Sequence, residues 1–402
     1  MKWVQFGEIA KITRGASPRP INSYLTSEED GINWIKIGDV SQGQKYITST
    51  KEKITREGAL KSRVVHPGDF ILSNSMSFGR PYILKITGCI HDGWLSISNF
   101  EKEVVADYLY YVLNSTLVQQ QMIQKASSGT VRNLNAEIVR SLMIPIPSLE
   151  KQREIVNILD SFTELTAELT AELTAELTTR MQQYDFYRNK LTSFKCLNQE
   201  LRNKLGIRLV KLKEIATVER GNGLQKTDFS DEGIDCIHYG QIYTQFDTCT
   251  AKTISKVPES LAKKLKTVQP GNLIMAVTSE NIDDVCKCIA WLGDHEIVTG
   301  GHTAIIRTNE NAKYLAYWFQ SSDFYRQKVE LAHGTKVIEV TPSKLNEIII
   351  ELPPVELQNK IVTQLDSIHT LMCDLEKALP AEISARKKQY EYYRDRLLSF
   401  GK

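Results

Sequence analysis

Thr166-Ala167-Glu168-Leu169, Thr170-Ala171-Glu172-Leu173 and Thr174-Ala175-Glu176-Leu177 are three unbroken copies of one tetrapeptide. Four residues of α-helix rise roughly 6 Å and turn about 40° beyond one full revolution, so each copy is a fixed step of length and angle. Such a repeat behaves as a ruler, and a ruler implies two bodies held apart. Apolar residues at steps of three and four surround it: Ile155, Leu159, Phe162, Leu165, Leu169, Leu173, Leu177, Met181, Tyr184, Tyr187, Leu191 and Phe194. This spacing predicts one helix over 149–194 with an apolar seam along it. Successive steps of four carry the seam around the axis, so it faces more than one neighbour along its length.

The remainder of the chain repeats that helix without its wording. Ile361, Leu365, Ile368, Leu371, Leu375, Leu379, Ile383, Lys387, Tyr390, Tyr393, Leu397 and Phe400 follow the first series at an offset of 206 residues, and only Lys387 opposite Met181 breaks the apolar match. The segment Gln183-Tyr184-Asp185-Phe186-Tyr187-Arg188 returns as Gln389-Tyr390-Glu391-Tyr392-Tyr393-Arg394, and Arg14-Gly15 returns as Arg220-Gly221. Self-similarity over so long a period marks a tandem duplication. Pro380 inside the second helical pattern predicts a bend or short break. Glu164, Glu168, Glu172 and Glu176 form a like-charged i,i+4 stripe, which reads as a solvated face. Arg180 relieves its last pair, and Arg386, Lys387 and Lys388 are candidate partners on the other helix.

Each half begins with a mixed α/β globule, giving an α+β chain overall. Strands are predicted at 32–37 and 69–73, with Pro67-Gly68 as the turn before the second, and again at 234–239 and 273–277 after Pro270-Gly271. Amphipathic helices follow over 104–126 and 312–332, each stopped by a glycine, Gly129 and Gly334. The proline-bearing segments Ile144-Pro145-Ile146-Pro147 and Leu352-Pro353-Pro354 then lead into the long helices. The resulting division is a first globule over 1–148, the repeat-bearing helix over 149–194, a linker over 195–207, a second globule over 208–355 and a closing helix over 356–402.

Composition bounds the function only loosely. With 402 residues, 42% hydrophobic content and a net charge of +2, the chain can build two ordinary cores, and its near-neutral total neither supports nor excludes a nucleic-acid partner. Seven scattered cysteines without zinc-finger spacing read as reduced thiols, and Cys286 with Cys288 as buried thiols on a strand. No apolar signal core or membrane span is evident, so a cytoplasmic location is expected. Trp34, Trp94, Trp291 and Trp318 read as core residues.

The tandem halves, the Ile-Pro-Ile-Pro-Ser-Leu-Glu-Lys-Gln-Arg-Glu-Ile-Val ending of the first globule, the tetrapeptide repeat and the Gln-Tyr-x-x-Tyr-Arg-x-x-Leu-x-Ser-Phe tails together resemble the DNA-specificity subunits of type I restriction-modification enzymes. The repeat is similar to that of the type IC branch. The resemblance covers the whole chain. It implies two target-recognition domains related by a pseudo-twofold axis and separated by two long antiparallel coiled-coil helices. It also implies double-stranded DNA with a bipartite, asymmetric site as ligand. Two adenine methyltransferase subunits would dock on the helices, and motor-nuclease subunits can join. S-adenosylmethionine, ATP and Mg would belong to those partners, with no cofactor in this chain.

No catalytic motif stands against this expectation of a non-enzyme. A phosphate-binding Gly-x-x-x-x-Gly-Lys loop is absent, Gly221-Asn222-Gly223 lacks a third glycine, and no Asn/Asp-Pro-Pro-aromatic tetrapeptide occurs. His295-Glu296 lacks the second histidine of a zincin and reads as surface. A coiled-coil scaffold or adaptor without DNA specificity is the alternative, and it would show no salt-dependent DNA binding.

Candidate DNA contacts combine loops, cations and side chains that can reach base edges. They are Arg14, Ser17 and Arg19 with the counterpart loop Arg220, Asn222 and Lys226. They also include Ser128, Gly129, Thr130 and Arg132 with Gly334, Thr335 and Lys336, and Asn74, Ser75 and Arg80 with Ser279 and Asn281 placed at the matching position. Thr166, Leu169, Thr170, Leu173, Thr174 and Leu177 carry the spacer.

Overall fold

The computed structural model describes residues 1–40, 43–74, 78–126 and 133–400. The predicted long helices are present as Leu149–Thr192 and Val355–Ser399. The chain divides into two compact units, Met1–Leu173 with Pro380–Lys402, and Thr174–Leu379. Each long helix is therefore shared, its two ends belonging to different units.

In the first unit, one five-stranded sheet runs in the order Lys11–Arg14, Trp94–Ser98, Phe70–Ser73, Pro81–Leu84, Tyr46–Ile47. A second runs Leu25–Thr26, Glu52–Ile54, Ile32–Ile35, Gly88–Ile90, Arg63–Val65. The second unit repeats the first sheet strand for strand as Ala216–Arg220, Thr303–Thr308, Leu273–Ala276, Cys288–Trp291, Cys249–Thr250. Its other sheet keeps four strands, Ser255–Val257, Ile234–Ile237, Ile297–Thr299 and Lys266–Val268. Strands such as Phe70–Ser73 and Leu273–Ala276 are buried at every position, as continuous apolar runs covered on both faces must be. Trp34, Trp94, Trp291 and Trp318 are 0–2% exposed, as expected for core residues.

Each globule grips the start of the long helix that follows it through buried polar groups. Gln152, fully buried, accepts from Val105 N (2.8 Å) and donates to the carbonyls of Glu103 (2.9 Å) and Pro147 (3.0 Å). Gln358, also fully buried, accepts from Asn311 N (3.0 Å) and donates to Pro353 O (2.8 Å) and the Glu310 carboxylate (2.7 Å). One helical turn pair further on, the Tyr111 hydroxyl donates to Asp160 and the Tyr317 hydroxyl to Asp366. Burial first, and then the adjacent carboxylate, raise both phenol pKa values, so each hydroxyl keeps its proton and remains a donor.

The other end of each globule holds the tail of the opposite long helix. Thr116 N donates to Asp395 (3.0 Å) in the first unit, and Ser322 N to Asn189 (2.7 Å) in the second. Leu398 enters the first core and Phe194 the second. In the first unit Phe162 stacks on Tyr393 at 5.9 Å and Thr163 meets the Tyr390 hydroxyl at 3.3 Å. Residue numbers rise on one helix as they fall on the other, which is antiparallel pairing.

Three expectations need correction. The helices expected over 104–126 and 312–332 are each two helices, Ala106–Asn114 with Thr116–Ala126 and Ala312–Trp318 with Ser322–Leu331. Ser115 and Ser321 are extended, and their hydroxyls accept from the backbone of the next helix, Val118 N and Phe324 N. Serine side chains that cap the backbone in this way compete with a continuous helix. Of the bend or short break expected at Pro380, the break is absent, since the helix Val355–Ser399 runs through it; the carbonyl it leaves without its helical partner belongs to exposed Glu376, within reach of water. Arg386 does not pair across to the glutamate stripe. It bonds Glu382 on its own helix at 2.8 Å, as Arg180 bonds Glu176 at 2.8 Å.

Because Gln152 bonds one amide and two carbonyls, the one at Pro147 fully buried and the others partly, Gln152→Ala removes three hydrogen bonds at once. A loss of about 3 kcal/mol is expected from the unit containing it. Urea unfolding followed by tryptophan fluorescence should show one of two transitions moving, with Gln358→Ala moving the other.

Candidate nucleic-acid interface

The Arg-Gly pair recurs in both halves because it closes the same backbone contact. An added Cβ on Gly15 would lie 2.1 Å from His91 O, and one on Gly221 would lie 1.9 Å from Gly300 O. Only glycine permits these approaches. The arginine before each glycine then turns back along the same connection: Arg14 Nε donates to Asp92 O (3.0 Å), and Arg220 Nε to Gly301 O (3.2 Å).

In the first unit the structure gathers several sequence candidates around Asp92. Ser17 donates to its carboxylate (2.9 Å), Arg19 pairs with it (3.6 Å), and the Asn74 amide donates to its carbonyl (2.9 Å). The hydrogen bond from Ser17 is the main reason the Asp92 carboxyl titrates below its ordinary value. Beside it lies a cavity of about 460 Å³ lined by Ser17, Arg19, Trp34, Lys36, His91 and Asp92, among others. Arg19 is largely exposed at its mouth. Arg80 stands apart, half-buried beside Tyr82. Ser75, Ser128, Gly129, Thr130 and Arg132 lie outside the described residues, as does the helix stop expected at Gly129.

The second unit builds a different surface on the same plan. A cavity of about 390 Å³ is lined by Tyr239, Tyr243, Thr278, Ser279, Asn281, His302 and neighbours. The Tyr239 and His302 rings are 4.8 Å apart, and His302 Nδ1 is 2.9 Å from the Thr278 hydroxyl. Arg220 pairs with Glu339 at 2.7 Å, while the Asn222 amide donates to Lys264 O at 2.6 Å. Lys226 begins a short 3₁₀ turn, Lys226–Asp228, beside His238. Gly334 has φ +114° and its Cβ would meet Val337 O at 1.9 Å, so glycine shapes the tight loop that exposes Thr335 and Lys336.

The expected match between Asn74 and Ser279 with Asn281 is off by two or more residues. Asn74 N donates to Gly93 O and its carbonyl receives Leu134 N, while Val277 N donates to His302 O and its carbonyl receives Val340 N. Val277 therefore occupies the place of Asn74. Asn281 instead holds its own turn through Asp284, at 2.6 and 2.8 Å. Asp92, His91, Tyr239 and His302 escaped the sequence reading because each lies far along the chain from the loop it joins. Trp34 was legible only as a core residue, although one edge of it lines the first cavity.

A family model described as the type I restriction modification DNA specificity domain matches residues 1–179 and again 206–385. The chain belongs to this family. It is 26% identical over 412 residues to a putative type I restriction enzyme specificity subunit of Haemophilus influenzae, covering 100% of this chain and 96% of that protein. It is 29% identical over 419 residues to the EcoR124I/EcoR124II type I specificity subunit of Escherichia coli, covering 100% and 95%. In fold it is similar to the HsdS subunit from Thermoanaerobacter tengcongensis, with a TM-score of 0.62, 19% identity and coverage of 99% and 96%. A chain from a structure concerned with complex assembly and conformational transition of the type I R-M system gives a TM-score of 0.77, 18% identity and coverage of 99% and 97%. Among the described residues no helix is long and apolar enough to cross a membrane.

His91 and His238 share a turn in which the ring Nδ1 accepts from a backbone N–H, that of Gly93 (2.8 Å) and of Gly240 (3.1 Å). Burial lowers both pKa values below 6.5, and protonation would abolish the acceptor. A depressed histidine contributes stability that is complete above its unfolded pKa and is lost as pH falls through its folded one. The urea midpoint should therefore fall below pH 6.5, and His91→Asn, which keeps an acceptor without titrating, should flatten the share of the first unit.

Proposed function

We propose that the chain is the sequence-specific DNA-binding subunit of a type I restriction-modification complex, itself non-catalytic, and that each globule reads one half of a bipartite site. The observation that carries this reading is one mounting scheme bearing two unlike polar surfaces, an Asp92-centred cluster of Arg14, Ser17 and Arg19 in one unit and the Tyr239, His302 and Ser279 cavity in the other. Common mounting would present each surface to DNA alike, and unlike lining would give the two half-sites different sequences. Loop cations such as Arg19, Lys226 and Lys336 would meet phosphates, and the amide and hydroxyl side chains would meet base edges. A cytoplasmic location fits this reading.

The long helices would set the unread spacer and dock two adenine methyltransferase subunits, whose S-adenosylmethionine supplies the methyl group; ATP and Mg would belong to motor-nuclease subunits. Phe186 and Tyr392, at equivalent positions on the two tails, are 57% and 60% exposed. Paired exposed aromatics of this kind suit two copies of one partner. Phe186→Asp should remove one methyltransferase and Phe186→Asp with Tyr392→Asp both, read by the mass of the co-expressed complex in light scattering, without altering the folded chain's circular dichroism.

One tetrapeptide rotates a helix about 40° beyond a turn, near the roughly 35° between successive base pairs of B-DNA. Deleting Thr170 to Leu173 is expected to shorten the spacer by about one base pair and leave both half-site sequences intact. Methylome sequencing reads both outcomes, and altered half-sites would falsify the ruler. The scaffold alternative fails if DNA affinity falls steeply and log-linearly with salt.

A further inference from the structure

One side-chain cluster in the second unit belongs to none of the surfaces described above. His369 and Cys373, four residues apart on the helix Val355–Ser399, project from one face of it. The loop carboxylate of Asp247 closes on the same point. His369 Nε2 is 2.7 Å from Asp247 Oδ2 and 3.6 Å from Cys373 Sγ, and the three ligand atoms all lie within 4.8 Å of one another.

We propose that Asp247, His369 and Cys373 form a zinc site that pins the second long helix to the globule of its own unit. Bond lengths of roughly 2.0–2.1 Å to nitrogen or oxygen and 2.3 Å to sulfur put tetrahedral ligand atoms about 3.3–3.6 Å apart. The nitrogen–sulfur edge already has that length. The nitrogen–oxygen edge must open by about 0.6 Å and the oxygen–sulfur edge must settle at about 3.5 Å, which asks for a shift of the exposed Asp247 side chain within a set already inside 4.8 Å. A thiolate, an imidazole and one carboxylate form the mixed, borderline-soft set that selects zinc over magnesium or calcium. Zinc displaces the Cys373 thiol proton and the proton shared by the Asp247–His369 pair, and water completes the fourth position.

The surroundings of the three ligands are polar as well. Three side-chain atoms of this neighbourhood, His369 Nδ1, Tyr184 Oη and Arg188 Nε, have no hydrogen-bond partner among the described residues. The Tyr184 ring lies 5.6 Å from that of His369, and the Arg188 guanidinium lies 5.3 Å above the Tyr184 ring. Zinc held through Nε2 would fix Nδ1 of His369 as the N–H of the ring, the donor that a second-shell acceptor orients. The site belongs to one half only, because Thr163 and Ala167 stand at the equivalent helix positions in the first unit.

The proposal is tested on the full chain, purified under reducing conditions, stripped with chelator and titrated with cobalt(II) in place of zinc. One cobalt per chain is expected, with the intense visible bands of a tetrahedral ion and a near-ultraviolet thiolate charge-transfer band. Cys373→Ser should abolish the charge-transfer band, His369→Gln should weaken binding at least tenfold, and Cys196→Ser, altering an exposed thiol elsewhere, should change neither. Cys373→Asp gives a second reading should the serine variant not fold: cobalt retained, sulfur band gone. Absence of tetrahedral bands, or a sulfur band that survives Cys373→Ser or Cys373→Asp, overturns the site. DNA binding is not the readout, so failure here leaves the proposed function untouched.

Discussion

Gln152 and Gln358 hold together what the rest of the structure depends on, the joint between each globule and the long helix that leaves it. A buried amide is costly unless all its hydrogen-bonding groups are met, and meeting three of them fixes a direction that apolar packing alone leaves soft. Each glutamine binds the backbone just before a short helix of its globule, Ala106–Asn114 or Ala312–Trp318, and the proline carbonyl that precedes its own long helix. The tyrosine–aspartate bonds at Asp160 and Asp366 then repeat the constraint further along the axis. Two such fixings on one rigid rod define an angle as well as a position, so globules of divergent surface share one pose on their helices.

The same logic governs the exchange of tails. Thr116 with Asp395 and Ser322 with Asn189 are one interaction written twice, each closing a unit with the far end of the other half's helix. Neither duplicated half is compact by itself: the first core includes Leu398 and the second Phe194. The duplication in sequence and the division in space are therefore offset from each other, with the unit boundaries at Leu173/Thr174 and Leu379/Pro380.

The helices, the duplication and the core tryptophans were legible in the sequence because each is set by periodic apolar spacing, a local property. Helix ends governed by single hydrogen bonds were less so: Ser115 and Ser321 interrupt helices that amphipathicity alone would carry on. The candidate interface was legible only where chemistry lies in one loop, as at Arg14, Ser17 and Arg19. The partner that organises that loop, Asp92, is brought in by strand pairing from 75 residues away, and no local pattern announces it. The match of Asn74 with Ser279 failed for a related reason. Insertions between strands change the offset inside the globules while the helices, which tolerate none, keep 206.

Helices that cannot tolerate irregular insertion can still accept whole steps, and the repeat has the properties this requires. Leu169, Leu173 and Leu177 are only half-buried, and no residue from Thr166 to Leu177 enters a core cluster. Threonine hydroxyls of the repeat bond back to their own helix, Thr166 to Phe162 O and Thr170 to Thr166 O at 2.7 Å. A segment with uniform, shallow packing loses little when one copy is added or removed, whereas a jigsaw-packed segment loses several kcal/mol for a single void. In the other long helix Leu371, Leu375, Leu379 and Ile383 keep the same four-residue step in different words, which preserves matched length while leaving that helix no copies to slip. Variation in spacing is thus confined to one strand of the pair, and the globules at its ends keep their buried joints unchanged.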